Sequence, residues 1–279
     1  MTSAVVEVST SPAEVRARRR PPQRWEAAWW GVAGIAVLIA LWLVVRWLDL
    51  VPESGLPGPT AVFSAIFDIV GDGQFRDAYY DTLVSWAKSL VLATVFAVSL
   101  GLAVGWVPWL ARSVSVPMHI GRSVPATTLI PVAIVLFGLG PSMKIATVTF
   151  SMTWLVLMNT IYGVRTIDRV TVLSARSMRF GRLDIIRRVL IPSALPSVMT
   201  GIRVAAGVGF VVTLSTELLG ASSGVGTVML LYQNAERPDF VYAGVIVVAF
   251  TGMVITYGVQ WIEHLIVPWR PQRRAKGRG

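Results

Sequence analysis

No cysteine occurs in the 279 residues, which closes off a disulfide framework and any thiolate metal site. Histidine is nearly as scarce: His119 and His264 stand alone, and two isolated imidazoles cannot assemble a zinc site of the usual kind. Charge is thin as well, at 14% of residues against about 25% in an average soluble domain. With 54% hydrophobic residues and a mean hydropathy of +0.64, the chain reads as an integral membrane protein. A nucleotide-binding loop is also missing. The nearest approach to G-x-x-x-x-G-K-[ST] is GLGPSMKI, Gly138 to Ile145, where Met143 stands in place of glycine and Ile145 in place of Ser or Thr.

What the chain does have is long apolar runs. A hydrocarbon layer about 30 Å thick needs roughly 20 apolar residues, and with no water to satisfy stray backbone groups such runs must be helical. Six are placed, at 27–48, 83–107, 118–139, 144–164, 198–219 and 241–266, so the expected fold is an all-α bundle of six transmembrane helices. Charge supports the even count. Arg16, Arg18, Arg19, Arg20 and Arg24 precede the first run and Arg270, Arg273, Arg274, Lys276 and Arg278 follow the last, so both termini are expected in the cytoplasm. The loop between the fourth and fifth runs adds Arg165, Arg169, Arg176, Arg179, Arg182, Arg187 and Arg188. The segment expected outside carries Glu53, Asp68, Asp72, Asp77 and Asp81 against Arg76 alone.

The formal net charge of +10 therefore sits at membrane edges, where topology signals and anionic lipid account for it; nucleic acid is not an expected partner. The first run is about twenty residues with no small-residue cleavage site after it, and reads as an uncleaved helix.

Motifs that could carry chemistry are few. GASSG, Gly220 to Gly224, fits the G-x-S-x-G pattern of an exposed nucleophilic serine, which needs a base within reach. Both histidines fall at the opposite side of the membrane from Ser222, so a membrane-embedded serine hydrolase is disfavoured against a plain glycine-rich turn. Polar residues inside the runs say more, since charge at mid-membrane costs about 2.5–3.5 kcal/mol even on lenient scales. Asn159 and Glu217 are the candidates for a translocation pathway, each weighed against a helix–helix contact, while Arg203 sits near enough to a membrane face to snorkel. Gly101 and Gly105 have the small-xxx-small spacing of closely packed helices. No acidic residue stands near a span centre, which argues against the alternative of an ion-coupled secondary transporter or channel.

The loop 165–197 mixes apolar and basic residues at helical spacing. In DIIRRVLI, Ile185, Ile186, Val189 and Leu190 share one face with Arg187 and Arg188 opposite, as in a short helix that lies at an interface or grips a soluble partner. Pro192 and Pro196 follow; having no N–H to donate, they are expected to close that helix and delay the next.

This loop resembles the EAA coupling loop of the membrane subunits of bacterial ABC importers of the binding-protein-dependent type. Counting back from Pro192, E-A-A falls on Leu173, Ser174 and Ala175, followed by Arg176, Ser177 and Met178. Two positions depart: the family's glutamate is Leu173 here, and its loop glycine is Arg179, with Gly181 two residues later. The tail IPSALPSVMTGIR is much closer to the pattern. LPGPTAV, VPATTLIPVAIVLFGLG, MNTIYGVRTID and ELLGASSGVGTVM are similar, in order, to segments of the nitrate, sulfonate and taurine branch.

The resemblance implies a type I importer-like transmembrane domain at 27–267, with its coupling loop at 165–197, between basic cytosolic tails at 1–26 and 268–279. It implies a permease subunit of the bacterial inner membrane that imports a small anion such as a sulfonate, taurine or nitrate. Its expected partners are a cytosolic ATPase dimer, a second permease copy, an extracytoplasmic solute-binding protein and membrane lipid. ATP and magnesium would belong to the ATPase; this chain is expected to hold no cofactor, metal or catalytic residue. The expected contact with the ATPase runs over Ala175, Arg176, Ser177, Met178, Arg179, Phe180, Gly181 and Arg182, with Met178 and Phe180 as apolar anchors. Pro192 and Pro196 would then turn the chain into the fifth helix.

Overall fold

A computed structural model describes residues 24–269, which are helix and turn with no strand among them. Arg16, Arg18, Arg19 and Arg20, and the basic residues after Trp269, lie outside the described residues. The chain divides into two compact units, 1–52 and 53–279. The first holds α1 (Arg24–Trp47), whose apolar stretch Trp29–Trp47 has no buried residue, as suits a helix solvated by lipid.

The second unit contains α2 (Pro59–Gly71), α3 (Gly73–Trp106), α4 (Pro108–Ser123), a 3-10 turn at Ala126–Leu129, α5 (Ile130–Phe137) and α6 (Pro141–Arg165). It continues with α7 (Arg169–Ser177), α8 (Arg182–Ile185), a π-helical segment Ile186–Leu190, α9 (Ile191–Leu219), α10 (Val225–Asn234) and α11 (Pro238–Ile266). Among the described residues five helical stretches are each long and apolar enough to cross a membrane: α1, α3, α6, the continuous run from α8 through α9, and α11.

Three expectations need correction. The span placed at 118–139 is not one helix: α4 and the 3-10 turn with α5 pass the length and hydropathy test only together, and they are bent by 90°. Pro125 is the cause, because its ring disfavours helical backbone in the residue before it, and Val124 is extended at φ −80 and ψ 117. Second, Pro192 and Pro196 do not stop a helix. α9 runs through both, with Pro192 in its first turn and Pro196 inside. Ahead of Pro192 the chain widens into the π segment, where the Ile191 N–H reaches back to the Ile186 carbonyl. A proline in a helix interior costs about 3 kcal/mol, whereas ending the helix in hydrocarbon would free several backbone groups at several kcal/mol each. Third, the outer segments contain helices: α3 begins at Gly73 instead of 83, α2 buries Val62, Ala65 and Ile69, and α10 follows the GASSG turn.

The core is a three-helix packing of α3, α6 and α9. Ala93, Ala97 and Val104 of α3 meet Val148, Met152, Val156, Leu157 and Ile161 of α6, with Ala205 of α9 in the same cluster. The approach is close because glycine permits it. A Cβ on Gly101 would lie 2.7 Å from the Thr160 Cβ, and one on Gly105 would lie 2.6 Å from the Val164 Cβ. On the other face of α6, Gly201 of α9 lies against Asn159. At the α7 end of the bundle, Arg203 of α9 reaches the buried Glu263 of α11 at 3.1 Å and ties those helices together.

Candidate functional site

The two ends of the α3–α6–α9 bundle carry different chemistry. At the α10 end, Lys144 stands in the first turn of α6, where the partial positive charge of a helix N-terminus opposes a cation. It is nevertheless fully buried, and this is possible because all three ammonium protons have acceptors. Nζ donates to Asp81 Oδ2 of α3 at 2.7 Å, to Glu217 Oε1 of α9 at 3.0 Å and to the Ser223 carbonyl at 3.1 Å.

Glu217 is equally buried and serves a second purpose. The first turn of α10 has no capping side chain of its own, since its N-cap is Gly224. Glu217 Oε2 accepts the Gly226 N–H at 3.0 Å, and Thr82 Oγ1 of α3 accepts the Val225 N–H at 2.9 Å while donating to Glu217 at 2.9 Å. Two helices thus cap a third, placing a carboxylate where the α10 dipole favours one. Gly224 has φ +116, and a Cβ there would overlap the Glu217 carboxylate. Ser223 Oγ donates to Asp81 Oδ2 at 2.7 Å and closes the network; Asp81 is the member with access to solvent, at 32%.

The sequence singled out Glu217 but not its partners. Lys144 entered as part of a failed phosphate loop and as the edge of the fourth apolar run, and Asp81 as one more outer acid; they pair across 63 residues, with Glu217 another 73 beyond Lys144. The available signal was chemical: a lysine between two apolar runs requires a carboxylate. Asn159, the other pathway candidate, is half-buried; its Nδ2 donates to the Leu155 carbonyl of its own helix at 2.8 Å, opposite Gly201.

At the other end, α7 and α8 form a hairpin that contains every residue of the expected coupling stretch. Asp168 caps α7 by accepting the Val170 N–H at 2.9 Å. Its C-terminus closes with two nested bonds, Phe180 N–H to the Ala175 carbonyl at 3.1 Å and Arg179 N–H to the Arg176 carbonyl at 2.9 Å. That closure needs a left-handed residue, and Arg179 supplies it at φ +60. The position where the resembled pattern has glycine is therefore the position whose backbone favours glycine. Ala175 is buried at the base of the hairpin, Met178 projects into solvent at 69% exposure, and Phe180 is half-buried beneath the Arg188 guanidinium, 5.6 Å from its ring centre. Arg176 and Arg182 are exposed. Pro192 and Pro196 lie in the helix that leads from this hairpin into the bundle.

The chain has known relatives. The taurine transport system permease protein TauC of Escherichia coli is 27% identical over 243 residues, covering 85% of this chain and 88% of its own length. The putative aliphatic sulfonates transport permease protein SsuC of Bacillus subtilis is 26% identical over 271 residues, covering 97% and 98%. Among solved structures, that of a bacterial ABC transporter involved in the import of the acidic polysaccharide alginate matches with a TM-score of 0.63 at 15% identity, covering 86% of this chain and 99% of that one; it is a likeness of fold. Residues 93–270, which take in both the capped network from Lys144 onward and the α7–α8 hairpin, match one family along their whole length. The chain is a multi-pass membrane protein that belongs to the binding-protein-dependent transport system inner membrane component family.

Proposed function

We propose that this chain is the permease subunit of an ATP-driven importer of a small sulfonate-type anion in a bacterial inner membrane. It forms half of the translocation pathway and is driven by a separate ATPase dimer that holds ATP and magnesium. A second copy of the chain completes the pathway, and an extracytoplasmic binding protein delivers the solute. The substrate class rests on the taurine and aliphatic-sulfonate relatives. The observation that carries the coupling role is the α7–α8 hairpin: a rigidly capped turn that presents an exposed Met178 between exposed arginines at the end of the bundle. Helices that tilt between inward and outward access can be moved through such a lever, because α9 continues from it without a break. Glu217, held by Lys144, Thr82 and the α10 N-terminus, is read as an anchor of the bundle and not as a group facing solute.

The test is a double substitution, Met178→Ala with Phe180→Ala, in the purified permease–ATPase complex. Apolar anchors cost about 2 kcal/mol or more when truncated, roughly thirtyfold in affinity. The expected result is loss of the ATPase from the complex, or hydrolysis uncoupled from uptake, with the permease still inserted. Retention of the ATPase together with normal coupled uptake would overturn the docking assignment.

A further inference from the structure

We propose that the cavity between the α7–α8 hairpin and the end of the bundle is a binding site for a tetrahedral oxyanion, a phosphate- or sulfate-type group. The cavity holds about 860 Å³ and is lined on the bundle side by the end of α3 and on the other by the hairpin. Arg165 from the end of α6, Arg169 and Arg176 from α7 and Arg182 from α8 all line it, with Trp106 and Phe180 as its aromatic walls. No carboxylate is among its lining residues. The two acids nearest in sequence are engaged elsewhere: Asp168 caps α7, and Asp184 pairs with Arg188 at 3.7 Å.

Three observations separate this from an ordinary basic loop. The charges that set topology are needed only near the membrane face, so nothing in that role calls for four of the loop's arginines around one concavity. None of the four guanidinium groups has an ion pair or hydrogen bond to a described residue, so four exposed like charges line one cavity with no counter-charge from the described residues. The third point of contrast is residue type. All four are arginines, whose planar fork takes two oxygens of a phosphate or sulfonate at once and whose weak hydration suits a half-enclosed site. Four like charges around one concavity raise its positive potential and an anion that enters lowers it, and that is the physical content of an anion site.

Two sources present this chemistry at a membrane face: the headgroup of an anionic phospholipid and a free oxyanion in solution. The purified permease–ATPase complex is placed in nanodiscs of neutral phosphatidylcholine and titrated with inorganic sulfate or phosphate against chloride at constant ionic strength, with the thermal midpoint as readout. In a second arm, nanodiscs containing phosphatidylglycerol are used and retained anionic lipid is counted by native mass spectrometry. Arg165→Gln with Arg169→Gln removes two cavity charges; Arg122→Gln with Arg187→Gln removes two exposed charges from outside it. The expected result is that the first pair weakens oxyanion or lipid binding about tenfold or more while the second leaves it near wild type. A response in the first arm identifies a free oxyanion, and one confined to the second identifies a headgroup. Equal behaviour of the two pairs, or no response of the wild type in either arm, overturns the site. If the glutamine pair fails to assemble, Arg165→Lys with Arg169→Lys decides: it keeps the charge and loses the fork, and unchanged binding overturns the proposal. The cavity shares Arg176, Phe180 and Arg182 with the stretch assigned to the ATPase, but Arg165 and Arg169 lie outside that stretch and neither readout depends on transport, so failure of this site and failure of the coupling assignment are distinguishable.

Discussion

Lys144 shows how much of this protein's stability hangs on single side chains. A buried ammonium with three acceptors is tolerated, but removing it leaves Glu217 enclosed and uncompensated, at about 3–5 kcal/mol, whereas neutralising both partners removes most of that penalty. Lys144→Met should therefore lower the thermal midpoint in detergent much more than Lys144→Met with Glu217→Gln, since glutamine keeps an oxygen for the Gly226 N–H. Equal losses in the two variants would mean the pair is not energetically coupled. The opposite sign is expected at Arg179. A non-glycine residue in the left-handed region carries a penalty of about 1–2 kcal/mol, so Arg179→Gly should stabilise the hairpin by about 1 kcal/mol, visible as slower amide exchange at Phe180. The departure at Arg179 was legible in the sequence; its meaning was not, because φ is invisible there. Conversely, Glu217 was visible as a buried acid, but only tertiary structure shows that its charge belongs to Lys144 and to the N-terminus of α10.

At the scale of elements, apolar run length gave the helices and failed at their breaks. The runs are read from the cost of hydrocarbon, which is the same everywhere, so α3, α6, α9 and α11 are found near their places. Proline has no such uniform effect. Pro125 breaks the chain between α4 and the 3-10 turn, whereas Pro192 and Pro196 are carried inside α9, and the difference lies in neighbours: a π-helical turn precedes Pro192, and an extended Val124 precedes Pro125. The Gly101 and Gly105 spacing did announce the α3–α6 contact. Gly105→Leu should force Val164 away and cost about 1–3 kcal/mol of overpacking, measured as a fall in thermal midpoint and in the yield of assembled permease. Gly71→Ala, at a site with open space around it, is the control and should leave both unchanged.

For the whole molecule, the sidedness inferred from charge makes a direct prediction: reporter fusions after Leu219 should read outside and those after Ile266 inside. An outside reading after Ile266 would reverse the assignment of α7 and α8 to the cytosol. The break between α4 and the 3-10 turn carries a further consequence for where water goes. A helix that ends leaves carbonyls without partners, and hydrocarbon offers none, so a right-angle bend in a spanning segment is tolerable only against protein or solvent. Arg122, Ser123, Thr127 and Thr128 around that bend are all exposed in the single chain, which leaves solvent or a partner subunit to meet them, and the two can be told apart. Because the chain has no cysteine of its own, the map can be drawn one residue at a time. Thr127→Cys should react with a charged maleimide at close to the aqueous rate, while Val135→Cys, on the exposed apolar face of α5, should stay slow. The bend at Pro125 would then mark the wet side of the subunit, the face along which a charged solute can travel without ever touching lipid.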